Sequence, residues 1–191
     1  VDQSIAAIAA RQGREPAEVA YETLLERDGQ EMLYAPSANY VDRTMDTLGE
    51  MLAHPNTVLG LSDGGAHCGL ICDASTPTYL LTHWVRDRTR GARMPLERAV
   101  QLQTSGSAAM YGLNDRGKLK PGYKADVNVI DFDNLLLRPP VMAFDLPAKG
   151  RRLLQEVTGY TATIASGQVT YRGGEATGAM PGKVVRGPQT A

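Results

Sequence analysis

The apolar residues of this chain change their period once, near Leu113, and that switch restricts its architecture more than any other feature. Before it, apolar side chains recur every three to four residues, the spacing of helices with one buried face. After it, glycines and β-branched residues dominate in short alternating runs, the pattern of strands. The expected organisation is therefore a helix-rich part over 1–113 and a strand-rich part over 114–191.

Within the first part, Ser4 is a natural N-cap for a helix carrying Ile5, Ile8 and Ala9, and Gly13 ends it. Pro16 suits the first position of a second helix, because the N–H it lacks would have no partner there. That helix holds Val19, Ala20, Tyr21 and Leu24 at helical spacing and stops at Gly29. The spacing of Val41, Met45, Leu48 and Leu52 predicts a helix over 39–53. Further helices are expected over 78–90, with Leu80, Leu81 and Trp84 inward, and from Pro95, with Leu96, Ala99, Val100 and Leu102 as its apolar side. Ser105 or Ser107 caps a short one ending before Gly112. Two runs read as strands: Glu31 to Ala35, and Thr57 to Leu61, whose apolar continuity suits burial on both faces. Strands alternating with helices point to a parallel α/β sheet or barrel. In the second part, Val127, Val129 and Ile130 form a strand, and Thr161–Ile164 and Gln168–Tyr171 form a hairpin turned at Ser166-Gly167. The tail from Gly173 is expected to lie extended on the surface.

Charge and composition exclude several roles. Twenty Lys and Arg against 21 Asp and Glu give a net charge of -1, so no basic footprint invites nucleic acid. No apolar run approaches the ~20 residues of a membrane span. The start, VDQSIAAIAARQGREP, has no charged segment leading into an apolar core, as a signal peptide would. Two cysteines, Cys68 and Cys72, make no disulfide framework, and the expected compartment is the cytoplasm.

Reactive side chains are densest in one stretch: Asp63, His67, Cys68, Cys72, Asp73 and His83, including two of the chain's three histidines. Asp63 follows a strand-like run and precedes two glycines. A carboxylate there faces the loop mouth where barrel enzymes place their chemistry. Equally, an Asp-Gly-Gly after a strand can be only a turn, and His67, the cysteines and His83 can be packing residues. A local metal module from His67, Cys68, Cys72 and Asp73 is a third reading, although structural zinc favours closely paired ligands from two segments.

Four ordered segments, VLGLSDGGAH (58–67), MPLERAVQLQTSGSAAMYGL (94–113), RGKLKPGYKADVNVIDFDNL (116–135) and GQVTYRGGEATGAMPGKVVRG (167–187), resemble the closing part of the amidohydrolase superfamily, nearest to N-acyl-D-amino-acid deacylases, or D-aminoacylases. The third resembles the family's G-x-L-x-x-G-x-x-A-D stretch in Gly117, Leu119, Gly122, Ala125 and Asp126. The resemblance implies the C-terminal portion of a (β/α)8 metal-dependent hydrolase barrel, over 1–113, and a small β-sandwich with a tail, over 114–191. It implies zinc, with most ligands upstream of this chain, and hydrolysis of an amide C–N bond, in an N-acyl-D-amino acid. Asp63 matches the family's aspartate at the end of the last barrel strand, beside the metal, where it handles the proton of the attacking water. It is therefore the expected catalytic residue and metal ligand, with Ser62, Gly64, His67 and His83 as substrate contacts.

Two features depart from the family pattern: the chain holds no His-x-His pair, and GAHCGLICDAS after Asp63 is atypical. Two candidate strands cannot close an eight-stranded barrel. The expected partners are accordingly a small-molecule substrate and a missing N-terminal barrel segment, or a second copy. The competing expectation is a non-catalytic fragment or subunit that completes another chain's barrel.

Overall fold

The computed structural model describes residues 2–36, 38–40, 42–60 and 62–190, arranged as two compact units, Val1–His54 and Pro55–Ala191. Among the described residues, the first unit holds three helices. Helix α1 (Ile5–Gln12) starts where Ser4 accepts the Ala7 N–H at 3.2 Å and ends at Gly13, in the left-handed region with φ 62°. Helix α2 (Pro16–Gly29) opens on its proline, and its last turn is distorted, with Arg27 and Asp28 at φ 53° and 59°. Its apolar spacing buries Val19 but leaves Tyr21 and Leu24 exposed. Helix α3 (Asp46–Ala53) is shorter than its spacing predicts. Asn39 and Arg43 have φ near 59°, which no right-handed helix tolerates, and the Thr44 hydroxyl takes the Asp46 N–H at 3.3 Å, starting the helix there. Val41 lies outside the described residues.

Among the described residues, the second unit carries no helix or strand before Asp73. Helix α4 (Thr76–Tyr79) runs directly into a π-wound segment, Leu80–Asp87. Leu80, Leu81 and Trp84 are buried as expected, and the Arg88 guanidinium covers the Trp84 ring at 4.4 Å. Helix α5 (Leu96–Gln101) follows, passes through a second π turn, Leu102–Gly106, and continues as α6 (Ser107–Met110). Ser107 is not a cap: its hydroxyl donates to the Leu102 carbonyl at 2.7 Å, inside this wider turn. Ala99 and Leu102 are buried, whereas Leu96 and Val100 are exposed.

Strands begin at β1 (Val127–Ile130), then β2 (Leu136–Leu137), β3 (Val141–Leu146), β4 (Gly150–Leu154), β5 (Val157–Thr158), β6 (Tyr160–Ala165), β7 (Gln168–Arg172) and β8 (Glu175–Ala176). Every pair is antiparallel: one sheet in the order β1-β6-β7-β8, and two ribbons, β2-β5 and β3-β4. The β6–β7 hairpin turns at Ser166 and Gly167, both at positive φ (49° and 77°), the geometry of a type I′ turn. The tail is mostly exposed, and Gln189 forms one isolated parallel bridge with Leu113.

The molecule is thus mixed α and β, with antiparallel sheets, and two expected strands are corrected. Residues 31–35 and 57–60 carry no strand, and Leu61 lies outside the described residues. A strand is defined by its neighbours, because its N–H and C=O groups need a facing ladder. Among the described residues no strand lies beside either run.

Helices and sheet share a core of Leu80, Leu81, Trp84, Ala99, Leu102, Ala108 and Leu135. The Thr78 hydroxyl meets the Tyr160 hydroxyl at 2.9 Å, and Arg86 donates to the carbonyls of Phe132 (2.6 Å) and Leu135 (2.8 Å). Gly117, at φ 82°, lies against the helix backbone, where an added Cβ would stand 2.9 Å from Ser105 Cα.

Candidate functional site

Residues 62–72 form a loop that leads through a 3-10 turn, Asp73–Ser75, into α4. Asp63 has φ 48°, Gly65 105° and His67 49°, so the backbone reverses hand three times in five residues. Aspartate visits this region more readily than most residues, because its short side chain clashes least. The Asp63 carboxylate is exposed and has no hydrogen-bond or ion-pair partner among the described residues. A turn aspartate normally caps a backbone N–H; this one holds its turn without doing so.

Gly64 rests against the next turn: a Cβ on it would stand 3.1 Å from Ala74 Cβ. The His67 carbonyl accepts the N–H groups of Leu70 (2.7 Å) and Ile71 (2.9 Å), closing one helical turn, and its ring is exposed. Ser62 is half-buried beside Asp63.

The loop's far side is stitched to the end of β4. The Cys68 carbonyl accepts the Leu153 N–H at 2.6 Å, and the Cys68 thiol faces the Arg151 carbonyl at 3.9 Å. The Cys72 thiol lies 3.9 Å from the Gln155 side-chain oxygen, which also accepts the Ser75 hydroxyl at 2.5 Å. The Gln155 amide nitrogen donates in turn to the Arg138 carbonyl at 2.9 Å. Burial pushes the Cys72 thiol pKa up, and Asp73 adds to that, so this sulfur is held as a neutral thiol.

His83 sits on the π-wound segment. Its ring stacks on Tyr79 (4.8 Å between centroids, 6° between planes) and meets Trp84 edge-on at 5.3 Å. Its Nε2 is buried without a hydrogen-bond partner. Burial lowers its pKa, Arg88 lowers it further, and Asp87 opposes both. His83 is thus a neutral ring within an aromatic stack.

The structure therefore gathers Ser62, Asp63, Gly64 and His67 on one loop and places His83 in a packed helix. Among the described residues no group of three or more His, Cys, Asp or Glu side chains converges as metal ligands, so His67, Cys68, Cys72 and Asp73 form no local metal module. Zinc takes four ligands, at least three of them from protein. Asp63 alone does not fit that requirement. The residue that sequence reading missed is Gln155, whose partners lie 17 and about 80 positions away; no local pattern signals it.

The profile of the amidohydrolase family matches residues 1–171. An N-acyl-D-aspartate deacylase from Alcaligenes xylosoxydans xylosoxydans is 31% identical over 176 residues, 91% of this chain and 33% of that protein. The chain thus spans about a third of the length of this curated relative. No solved structure gives a significant match. No helix among the described residues is long and apolar enough to cross a membrane. The extent of the profile match and the identity to a deacylase establish the lineage that the four ordered segments indicate: this chain belongs to the amidohydrolase family, on its D-aminoacylase-like side.

Proposed function

We propose that this chain contributes the Asp63 loop to a hydrolase that cleaves the amide C–N bond of an N-acyl-D-amino acid. In that reading, 1–113 is the closing part of a (β/α)8 barrel and 114–191 its small β-sandwich. The reaction adds water across the bond, so the acyl carbon gains a hydroxyl and the nitrogen a proton. Asp63 takes the proton from the attacking water and delivers it to the leaving nitrogen. Ser62, Gly64 and His67 line the approach to that carboxylate, whereas His83, stacked on Tyr79 with its Nε2 buried, belongs to the packing of its helix and not to the substrate contacts. Zinc belongs to the reading with ligands outside this chain. The residues here do not assemble a site for it, so the role given to Asp63 rests on proton transfer alone.

The observation that carries the reading is an aspartate at φ 48°, exposed and free of structural partners, in a chain matched by the amidohydrolase family over 1–171. A carboxylate kept in an unfavourable backbone region with no bond of its own suits chemistry better than architecture. The test is Asp63→Asn in the full-length protein, assayed on a series of N-acyl-D-amino acids. Turnover should fall roughly 10²- to 10⁴-fold, the usual worth of a positioned acid–base group. Undiminished turnover would overturn the role.

A second reading is favoured by the absence of converging metal ligands among the described residues: the 191-residue chain is a non-catalytic piece that completes another chain's barrel. Hydrolysis by this chain alone would exclude it.

A further inference from the structure

The carboxamide of Gln155 joins three segments that are remote in sequence. Its oxygen accepts from the Ser75 hydroxyl (2.5 Å) and faces the Cys72 thiol (3.9 Å), and its nitrogen donates to the Arg138 carbonyl (2.9 Å). Arg138 is itself fixed from the same side, its N–H donating to the Glu156 carbonyl at 2.8 Å. The amide supplies both an acceptor for Ser75 and a donor for Arg138, whereas a carboxylate accepts and cannot donate.

What this clamp holds is one residue from the candidate site. Ser75 follows Ala74, and Ala74 is what Gly64 rests against, its Cβ 3.1 Å from where a Gly64 Cβ would stand. Gly64 follows Asp63, whose φ of 48° is an unfavourable conformation for a residue with a side chain. Such a conformation costs about 1–2 kcal/mol and persists only where the surroundings over-determine it. The Asp63 side chain contributes no hydrogen bond toward holding itself there among the described residues.

We propose that Gln155 is the positioning residue of the Asp63 loop: through Ser75 and the Ala74–Gly64 contact it keeps Asp63 in its left-handed conformation. The inference rests on the reading of Asp63 as the proton-handling group. It adds that the strand-rich part, through one side chain after β4, sets the geometry of a loop some 90 positions earlier. Gln155 touches no reacting atom.

The test is a double-mutant cycle in the full-length protein with N-acyl-D-amino-acid hydrolysis as readout, paired with amide hydrogen exchange over 62–66. Gln155→Ala should lower kcat roughly 10- to 100-fold, the scale of an ångström-sized misplacement, with KM changed less than about 2-fold. Exchange over 62–66 should quicken while β6 and β7 stay protected. Gln155→Glu, which keeps the acceptor and loses the donor, should reproduce much of the loss. Gln155→Ala added to Asp63→Asn should cause no further loss, because the clamp acts only through Asp63. Additive losses, or unchanged exchange over 62–66 in Gln155→Ala, would overturn the proposal. If Asp63→Asn keeps full turnover, the functional reading fails, and the exchange measurement still decides the clamp. Should Gln155→Ala fail to fold, Ser75→Ala removes only the hydroxyl and takes its place in the same cycle.

Discussion

Two aspartates of the second unit, one in its helix-rich stretch and one in its strand-rich stretch, are held in opposite ways. Asp126 ends the stretch that runs from Gly117, and its carboxylate accepts the Ser166 N–H at 2.7 Å while the preceding Ala125 carbonyl accepts the Gly167 N–H at 2.8 Å. The turn of the β6–β7 hairpin is thereby fixed from outside by two adjacent residues. Asp63 also sits in a glycine-rich turn, yet its carboxylate is exposed and holds nothing among the described residues. Both lie in segments that resemble family motifs, so resemblance does not separate them. Asp126 is accounted for by architecture, and Asp63 is left available for chemistry.

The comparison breaks most visibly if the corner around Asp126 is not the rigid part. Gly117 is its anchor, because a methyl group there would meet Ser105 Cα, Ser105 N and Thr104 C, all at 2.9 Å, with φ at 82°. Backbone atoms cannot turn aside as a flexible side chain can. Overpacking costs about 1–3 kcal/mol and a left-handed L-residue about 1–2, so Gly117→Ala should destabilise by about 3 kcal/mol in urea unfolding. A loss below about 0.5 kcal/mol would mean that the corner yields.

A smaller effect is expected at Asp126 itself. Asp126→Ala removes a charged acceptor from the exposed Ser166 N–H, which water then satisfies, so stability should fall by about 1 kcal/mol. Turnover at saturating substrate should not change. If Asp126→Ala instead depressed kcat as strongly as Asp63→Asn while remaining folded, the division between an architectural and a chemical aspartate would be wrong.

This contrast also separates what the sequence made legible from what it did not. Ser4, Gly13, Pro16 and the Ser166-Gly167 turn are readable because each acts on a backbone group within a few residues. The burial of Leu80, Leu81 and Trp84 follows from spacing alone, yet the π winding of that segment does not. It depends on bonds such as Arg88 N–H to the His83 carbonyl at 2.8 Å, one residue further back than an α-helix would make. The runs at 31–35 and 57–61 have strand composition, but strands need partners that local pattern cannot supply. Within the candidate site, the Asp63 loop is legible as a cluster of reactive types. His83 is legible as a residue and illegible as a packed ring, and Gln155 leaves no mark in its own neighbourhood.

The finest test asks whether Asp63 holds its conformation for the sake of its carboxylate. Asp63→Gly removes the left-handed penalty, about 1–2 kcal/mol for an L-residue and at the low end for aspartate. Against that stands the extra chain freedom that glycine gives the unfolded state, about 0.5–1 kcal/mol. No hydrogen bond is lost, since the carboxylate makes none among the described residues. The balance favours the variant by about 0.5 kcal/mol, so its unfolding midpoint should hold or rise slightly while hydrolysis by the full-length protein is lost. A protein made slightly more stable by the change that silences it would mark Asp63 as a residue kept against the preference of the fold. A clear loss of stability would place Asp63 beside Asp126, as a second architectural aspartate.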